Sequence, residues 1–93
     1  MARTFVVKAR FQRAYDRLPA HERDRVKKAL QLLQRYLESR EAPLGLGLKR
    51  LGPGVFEFRA GLALRGVSVE EGALMVLTLL GSHDDVRRFL KQA

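Results

Sequence analysis

Arg59 and Arg65 are the residues of this chain whose types and spacing best suit chemistry. They sit in the run Val55-Phe56-Glu57-Phe58-Arg59-Ala60-Gly61-Leu62-Ala63-Leu64-Arg65-Gly66-Val67, which alternates like a strand and is broken at Gly61. If the two halves pair as a hairpin, residues of neighbouring strands come within about 5 Å. Two guanidinium groups so placed repel unless they share an anion, and their planar fork fits phosphate. The alternative is local pairing with a carboxylate, for instance Arg59 with Glu57 or Glu70. His83 follows a long apolar run and precedes Asp84 and Asp85. Histidine is the side chain that most readily acts as a general acid or base near neutral pH; at a strand end it also serves as a cap or a surface residue. Lys49-Arg50 precedes a Gly-Pro-Gly turn, where such a pair either contacts phosphates or ends a solvated strand. His21 has no evident partner and reads as a surface residue.

Other chemistries find no support. Cysteine is absent, so there is no disulfide framework and no thiol nucleophile. No His/Cys/Asp cluster has metal-ligand spacing, and neither a metal nor a cofactor is expected. The glycines of 45–54 are not followed by Gly-Lys-Ser/Thr, so they do not form a phosphate-binding P-loop. No Gly-x-Ser-x-Gly elbow occurs.

The elements that must position these residues follow from periodicity. Residues 2–7 are β-prone and read as a first strand. Phe11, Ala14, Tyr15 and Leu18 recur at helical spacing, giving a helix over 8–18. Pro19 ends this helix or opens the next. Over 20–39, Val26, Ala29, Leu30, Leu33 and Leu37 form an apolar stripe, with Arg23, Lys27, Lys28 and Arg35 outside it. Leu44, Leu46 and Leu48 alternate with glycines and lead into a short strand. Gly52-Pro53-Gly54 signals a turn. Strands are expected over 55–60 and 62–69, then a hairpin turn at Glu70-Glu71-Gly72. The run 73–80, apolar except for Thr78, fits a central strand covered on both faces. A short helix over 84–91 closes the chain, with Ser82 as its N-cap. The fold class is therefore α+β: one domain spanning 1–93, with an antiparallel sheet packed on one face by a helical hairpin, in the order β-α-α-β-β-β-β-α. The other face is expected to stay partly open to solvent.

Length and composition set the bounds. Ninety-three residues, 46% hydrophobic and 30% charged, suit one globular domain with a modest core. No apolar run approaches a membrane span or a signal peptide, which points to a cytoplasmic protein. The net charge is +8, and residues 1–50 hold 13 Lys/Arg against 5 Asp/Glu while residues 51–93 balance. A polyanionic partner, nucleic acid or an acidic protein, fits that asymmetry, as does a solvated basic helix face.

Several segments, taken together, resemble the RelE/ParE superfamily of toxins from bacterial toxin–antitoxin pairs. Phe5-Val6-Val7 looks like the family's first strand, and Leu18-Pro19 is similar to the break in its basic helical hairpin. Leu48-Lys49-Arg50-Leu51-Gly52, Val55-Phe56-Glu57-Phe58-Arg59 and Leu64-Arg65-Gly66-Val67 look like its central signature. Leu80-Gly81-Ser82-His83-Asp84-Asp85-Val86, with Phe89-Leu90, looks like the closing strand-to-helix segment of RelE-like members.

The resemblance implies a microbial RNase-like fold and, on the RelE side, ribosome-dependent cleavage of mRNA that inhibits translation. It implies that Arg59 and Arg65 hold the phosphate, that Lys49 adds a cation or moves a proton, and that His83 stabilises the leaving group. Arg50, Lys27, Lys28 and Phe89 would contact RNA. Where many RelE-type members carry a proton-transferring tyrosine, this chain has Phe89, which can stack but cannot transfer a proton, so acid–base work would fall to His83. The implied partners are a cognate antitoxin protein, mRNA and ribosomal RNA. The ParE side implies instead an inhibitor of DNA gyrase, and a third possibility is a degenerate member that only binds.

Overall fold

A computed structural model describes residues 4–39, 41 and 45–92. The expected positions Ala2, Arg3 and Leu44 lie outside the described residues. The elements run β1 (Thr4–Val7), α1 (Ala9–Asp16), α2 (Ala20–Ser39), β2 (Lys49–Gly52), β3 (Val55–Arg59), β4 (Arg65–Glu71), β5 (Leu74–Gly81) and α3 (His83–Gln92). The order is the one the periodicity predicts. Pro19 opens α2: its carbonyl accepts from the backbone N–H groups of Glu22 and Arg23, and α1 has already closed at Arg17. β4 starts at Arg65 rather than at residue 62 and ends two residues later than expected, at Glu71, which pairs with Leu74 and leaves Gly72 and Ala73 as the turn.

The sheet order is β1-β5-β4-β3-β2, and the sheet is mixed rather than purely antiparallel. β2 to β5 form an antiparallel meander, but β1 pairs parallel with β5, from Thr4↔Leu74 to Val7↔Leu77. The physical reason is the connection. Short turns make antiparallel neighbours, whereas a strand whose partner lies far along the chain can join in either direction. Apolar periodicity identifies β1 as a strand without stating its partner.

The core forms in two layers. On one face, Phe11 of α1 and Val26, Ala29 and Leu33 of α2 meet Leu46, Phe58, Ala60, Leu77 and Leu80. Each fully buried Val, Leu or Phe among them contributes about 1.5–3 kcal/mol. On the other face, Val86 of α3 joins Val67 and Leu79, with Leu51, Val55 and Phe89 packed alongside. α3 thus covers part of the second face, which was expected to stay partly open, and cover on both faces accounts for β5 being apolar except at Thr78. Two local features shape the sheet. Phe58 lies flat over Gly66: a Cβ there would stand 2.2 Å from the ring. Thr78 is an extra residue in β5, since Val67 pairs with Leu79 but Ser68 with Leu77. Such a bulge sharpens the local twist.

Candidate functional site

The β3–β4 hairpin sets the two arginines face to face. Its register pairs Phe58 with Gly66 and Arg59 with Arg65. Like charges directly opposite are unfavourable unless balanced. The balance comes from Glu57, whose Oε1 stands 4.0 Å from Nε of Arg65, with side chains 11% and 23% exposed. Arg65 also donates from one terminal nitrogen to the carbonyl of Leu64 at 3.2 Å, with Gly61 O at 3.5 Å. It therefore holds the β3–β4 loop as well as carrying charge. The expected pairing of Arg59 with Glu57 or Glu70 is corrected. Glu57 serves Arg65 across the strand, and Glu70 pairs in register with Met75 at the far end of β4.

Among the described residues no carboxylate pairs with Arg59. Its backbone N–H donates to Leu46 O at 2.8 Å, extending the β2–β3 pairing upstream. Its side chain lies over Gly47: a Cβ there would fall 3.3 Å from Arg59 Cβ and 3.8 Å from the guanidinium carbon. Gly47 has φ +58, so a side chain at this position would be strained as well as crowded. Gly47 thus gives Arg59 room to lie flat, a role the sequence pattern did not disclose.

Arg59 and Arg65 line a cavity of about 400 Å³. The opposite wall is α2, which supplies Arg25, Lys28, Ala29 and Leu32, an i, i+3, i+4, i+7 stripe. Ala60 and Leu62 complete an apolar part of the lining. Among the described residues, four cations and no carboxylate line this cavity. Positive charge concentrated in a low-dielectric cleft raises the local concentration of anions. Arg25 was not singled out by sequence reading. The signal available was its place on the same helical stripe as Lys28, next to the buried Ala29.

The remaining candidates are more dispersed. Lys49 pairs in register with Glu57, which places it beside the Glu57–Arg65 pair; it is exposed. Arg50 is exposed and donates from Nε to Gly52 O at 3.3 Å, bracing its own turn. Lys27 is exposed on α2 and does not line the cavity. Phe89 is half-buried against the second core layer. His83 is exposed at the start of α3, just beyond Gly81, which pairs with Arg65. Among the described residues neither Lys49 nor His83 lines the cavity. His21, expected at the surface, is exposed and also lines a second cavity of about 320 Å³ that shares Arg25 and the β3–β4 loop with the first.

The segment carrying His83 is tightly capped. Asp85 N–H donates to Ser82 Oγ at 3.1 Å, and Ser82 N–H donates to Asp85 Oδ2 at 2.8 Å. This reciprocal box establishes the Ser82 cap read from sequence. The Ser82 backbone N–H, the Arg88 guanidinium and the Ser82 hydroxyl all hold the Asp85 carboxyl below its ordinary value of 3.8. Among the described residues, no group of three or more His, Cys, Asp or Glu could hold a metal ion. No described helix is long and apolar enough to cross a membrane.

No protein-family model and no curated protein matches the sequence. Solved structures do match. The chain is similar to a protein in the RelB-RelE antitoxin-toxin complex from Methanococcus jannaschii, with TM-score 0.65, 15% identity and coverage of 90% of this chain and 96% of that one. It is similar to one in the DinJ-YafQ toxin-antitoxin complex from E. coli, with TM-score 0.70, 13% identity and coverage of 92% and 98%. A copper-bound variant toxin from Helicobacter pylori gives TM-score 0.62, 15% identity and coverage of 90% and 98%. At these identities the likeness is one of fold: the chain has the RelE-like toxin fold over nearly its whole length.

Proposed function

We propose that this chain, folded as a RelE-like toxin, is the toxin of a toxin–antitoxin pair and cuts mRNA on the ribosome. The observation that supports this most is the opposed pair Arg59 and Arg65 in a cavity that also holds Arg25 and Lys28 and, among the described residues, no carboxylate. Cleavage of RNA by internal transfer needs few groups. The ribose 2′-oxygen attacks the adjacent phosphorus, the 5′-oxygen leaves, and one proton moves from the former to the latter. The products are a 2′,3′-cyclic phosphate and a free 5′-hydroxyl, so the step balances without any co-reactant.

Charge builds on the phosphate oxygens during the attack, and preorganised cations stabilise it there. Arg59, held flat over Gly47 and paired with no described carboxylate, is the first of these; Arg65 is the second. His83 is the proton-transfer group, with Lys49 beside the Glu57–Arg65 pair as an auxiliary cation. Arg50, Lys27 and Lys28 add sequence-independent phosphate contacts. The likeness is to RelE- and YafQ-type toxins, so the gyrase alternative is not carried further. The partners on this reading are a cognate antitoxin, mRNA and ribosomal RNA, and the compartment is the cytoplasm.

A second reading has its own support. Phe89 packs against the second core layer and Arg65 is engaged by Glu57 and its own loop, which favours a protein that binds RNA without cutting it. One experiment separates the two: purified protein is added to a translating extract and the message is followed on a gel. Shortened message with the wild-type chain, and full-length message with Arg59→Ala, is the expected result. Intact message with both leaves only binding.

A further inference from the structure

The two cavities are parts of one groove. His21, Arg25, Lys28 and Leu32 fall at i, i+4, i+7 and i+11 along α2, a single stripe about 16 Å long at 1.5 Å per residue. His21 and Arg25 line the smaller cavity, Arg25, Lys28 and Leu32 the larger, and the β3–β4 loop forms the facing wall of both. At the crest of that loop Leu62 is 87% exposed, far more than any other large apolar side chain among the described residues. It lines both cavities. The lining therefore combines cations with apolar surface; one carboxylate, Glu22, lines the smaller cavity, and Arg59 stands at the far end of the larger one, away from it.

We infer that this groove is a binding track for single-stranded RNA, in which Arg25, Lys28 and Arg59 hold backbone phosphate and Leu62 with Leu32 packs against an unpaired base. The inference rests on the reading that the chain acts on RNA; Arg59 holds the phosphate at the bond to be cut, and Arg25, Lys28, Leu32 and Leu62 grip the strand away from it. Three features favour this ligand. A bare anion would leave the apolar lining unused, whereas a nucleotide presents a charged backbone and a flat base together. Cavities of about 400 and 320 Å³ are too small for a duplex and fit the size range of small-ligand sites. Arg65 is already engaged by Glu57 and the loop carbonyls, so the cations without a described ion-pair partner in the groove are those of α2 and Arg59.

The test is direct binding of a fluorescent six-nucleotide 2′-O-methyl RNA, which cannot be cut because its 2′-oxygen is blocked. The doubly substituted Arg25→Ala/Lys28→Ala chain is compared with Arg87→Ala/Lys91→Ala, which removes the same charge from exposed positions on α3. The first pair is expected to weaken binding at least tenfold and to flatten the slope of log affinity against log salt by about 1.4, at roughly 0.7 per phosphate contact. The second pair should stay within about twofold of wild type. Leu62→Ala, at a site too exposed to disturb folding, should weaken binding several-fold with no change in salt slope. Equal losses in both charge pairs, or no binding by the wild-type chain, would overturn the assignment. So would an acidic peptide of equal charge that binds as tightly with the same dependence on Arg25 and Lys28. Message cleavage is scored separately: groove-dependent binding with intact message removes the nuclease reading alone, and cleavage with groove-independent binding removes this one alone.

Discussion

Arg59 and Arg65 face each other across one hydrogen-bonded register, yet they do different work. Arg65 neutralises a mostly buried Glu57 and ties down the β3–β4 loop, while Arg59 has no described carboxylate partner. Arg65→Ala would leave Glu57 without its cation and is expected to cost about 1–2 kcal/mol in chemical denaturation. Arg59→Ala should stay within about 0.5 kcal/mol of wild type, so its loss of activity can be assigned to chemistry. Asp85 offers a pH signature. Its carboxyl is held below 3.8 in the folded chain, so its contribution is present above that value and is lost as pH falls through the lowered one. Asp85→Ala is expected to cost about 1 kcal/mol at pH 7, and thermal melts should show the gap to wild type closing well below pH 4. At this scale the sequence discloses the arginine pair, because alternation around Gly61 forces a hairpin. It does not disclose Arg25, because a cation on the polar side of an amphipathic helix looks the same whether it meets water or a groove. Gly47 is hidden for a similar reason, since its φ and the Arg59 side chain above it are properties of the fold.

The elements follow the hydrophobic pattern closely where the pattern is long. α2 runs over Ala20–Ser39 as its stripe predicts, and the meander of β2 to β5 follows from short turns. The parallel pairing of β1 is not legible, because its four residues carry apolar character but nothing that names a partner. The cover that α3 gives the second face is only half legible: Val86, Phe89 and Leu90 mark an apolar side of the helix, but not the surface it meets. Phe58 and Gly66 show how one strand depends on the next. The ring of a fully buried Phe58 occupies the volume a Cβ at Gly66 would need, and the core around it is closed. Gly66→Ala should therefore destabilise by about 1–3 kcal/mol, read as a lower midpoint in urea. Because the β3–β4 register also sets Arg59 opposite Arg65, the same substitution is expected to reduce activity more than its stability loss alone requires.

At the scale of the whole molecule, the helical hairpin and the sheet act as two jaws. α2 lies against one face and turns a cationic stripe toward the β3–β4 loop, while α3 covers part of the other face and starts at His83. The positive charge of the N-terminal half is thereby brought to the arginines of the neutral C-terminal half, which gives the charge asymmetry a spatial meaning. On the proposed reading, α2 grips a strand and the end of β3 acts on it. The most direct measurement is the chemistry of the ends formed when the protein is added to a translating extract. The account predicts message fragments ending in a 2′,3′-cyclic phosphate with the wild-type chain and none with Arg59→Ala. Fragments ending in a 3′-hydroxyl, or the same cyclic ends with Arg59→Ala as with wild type, would contradict it.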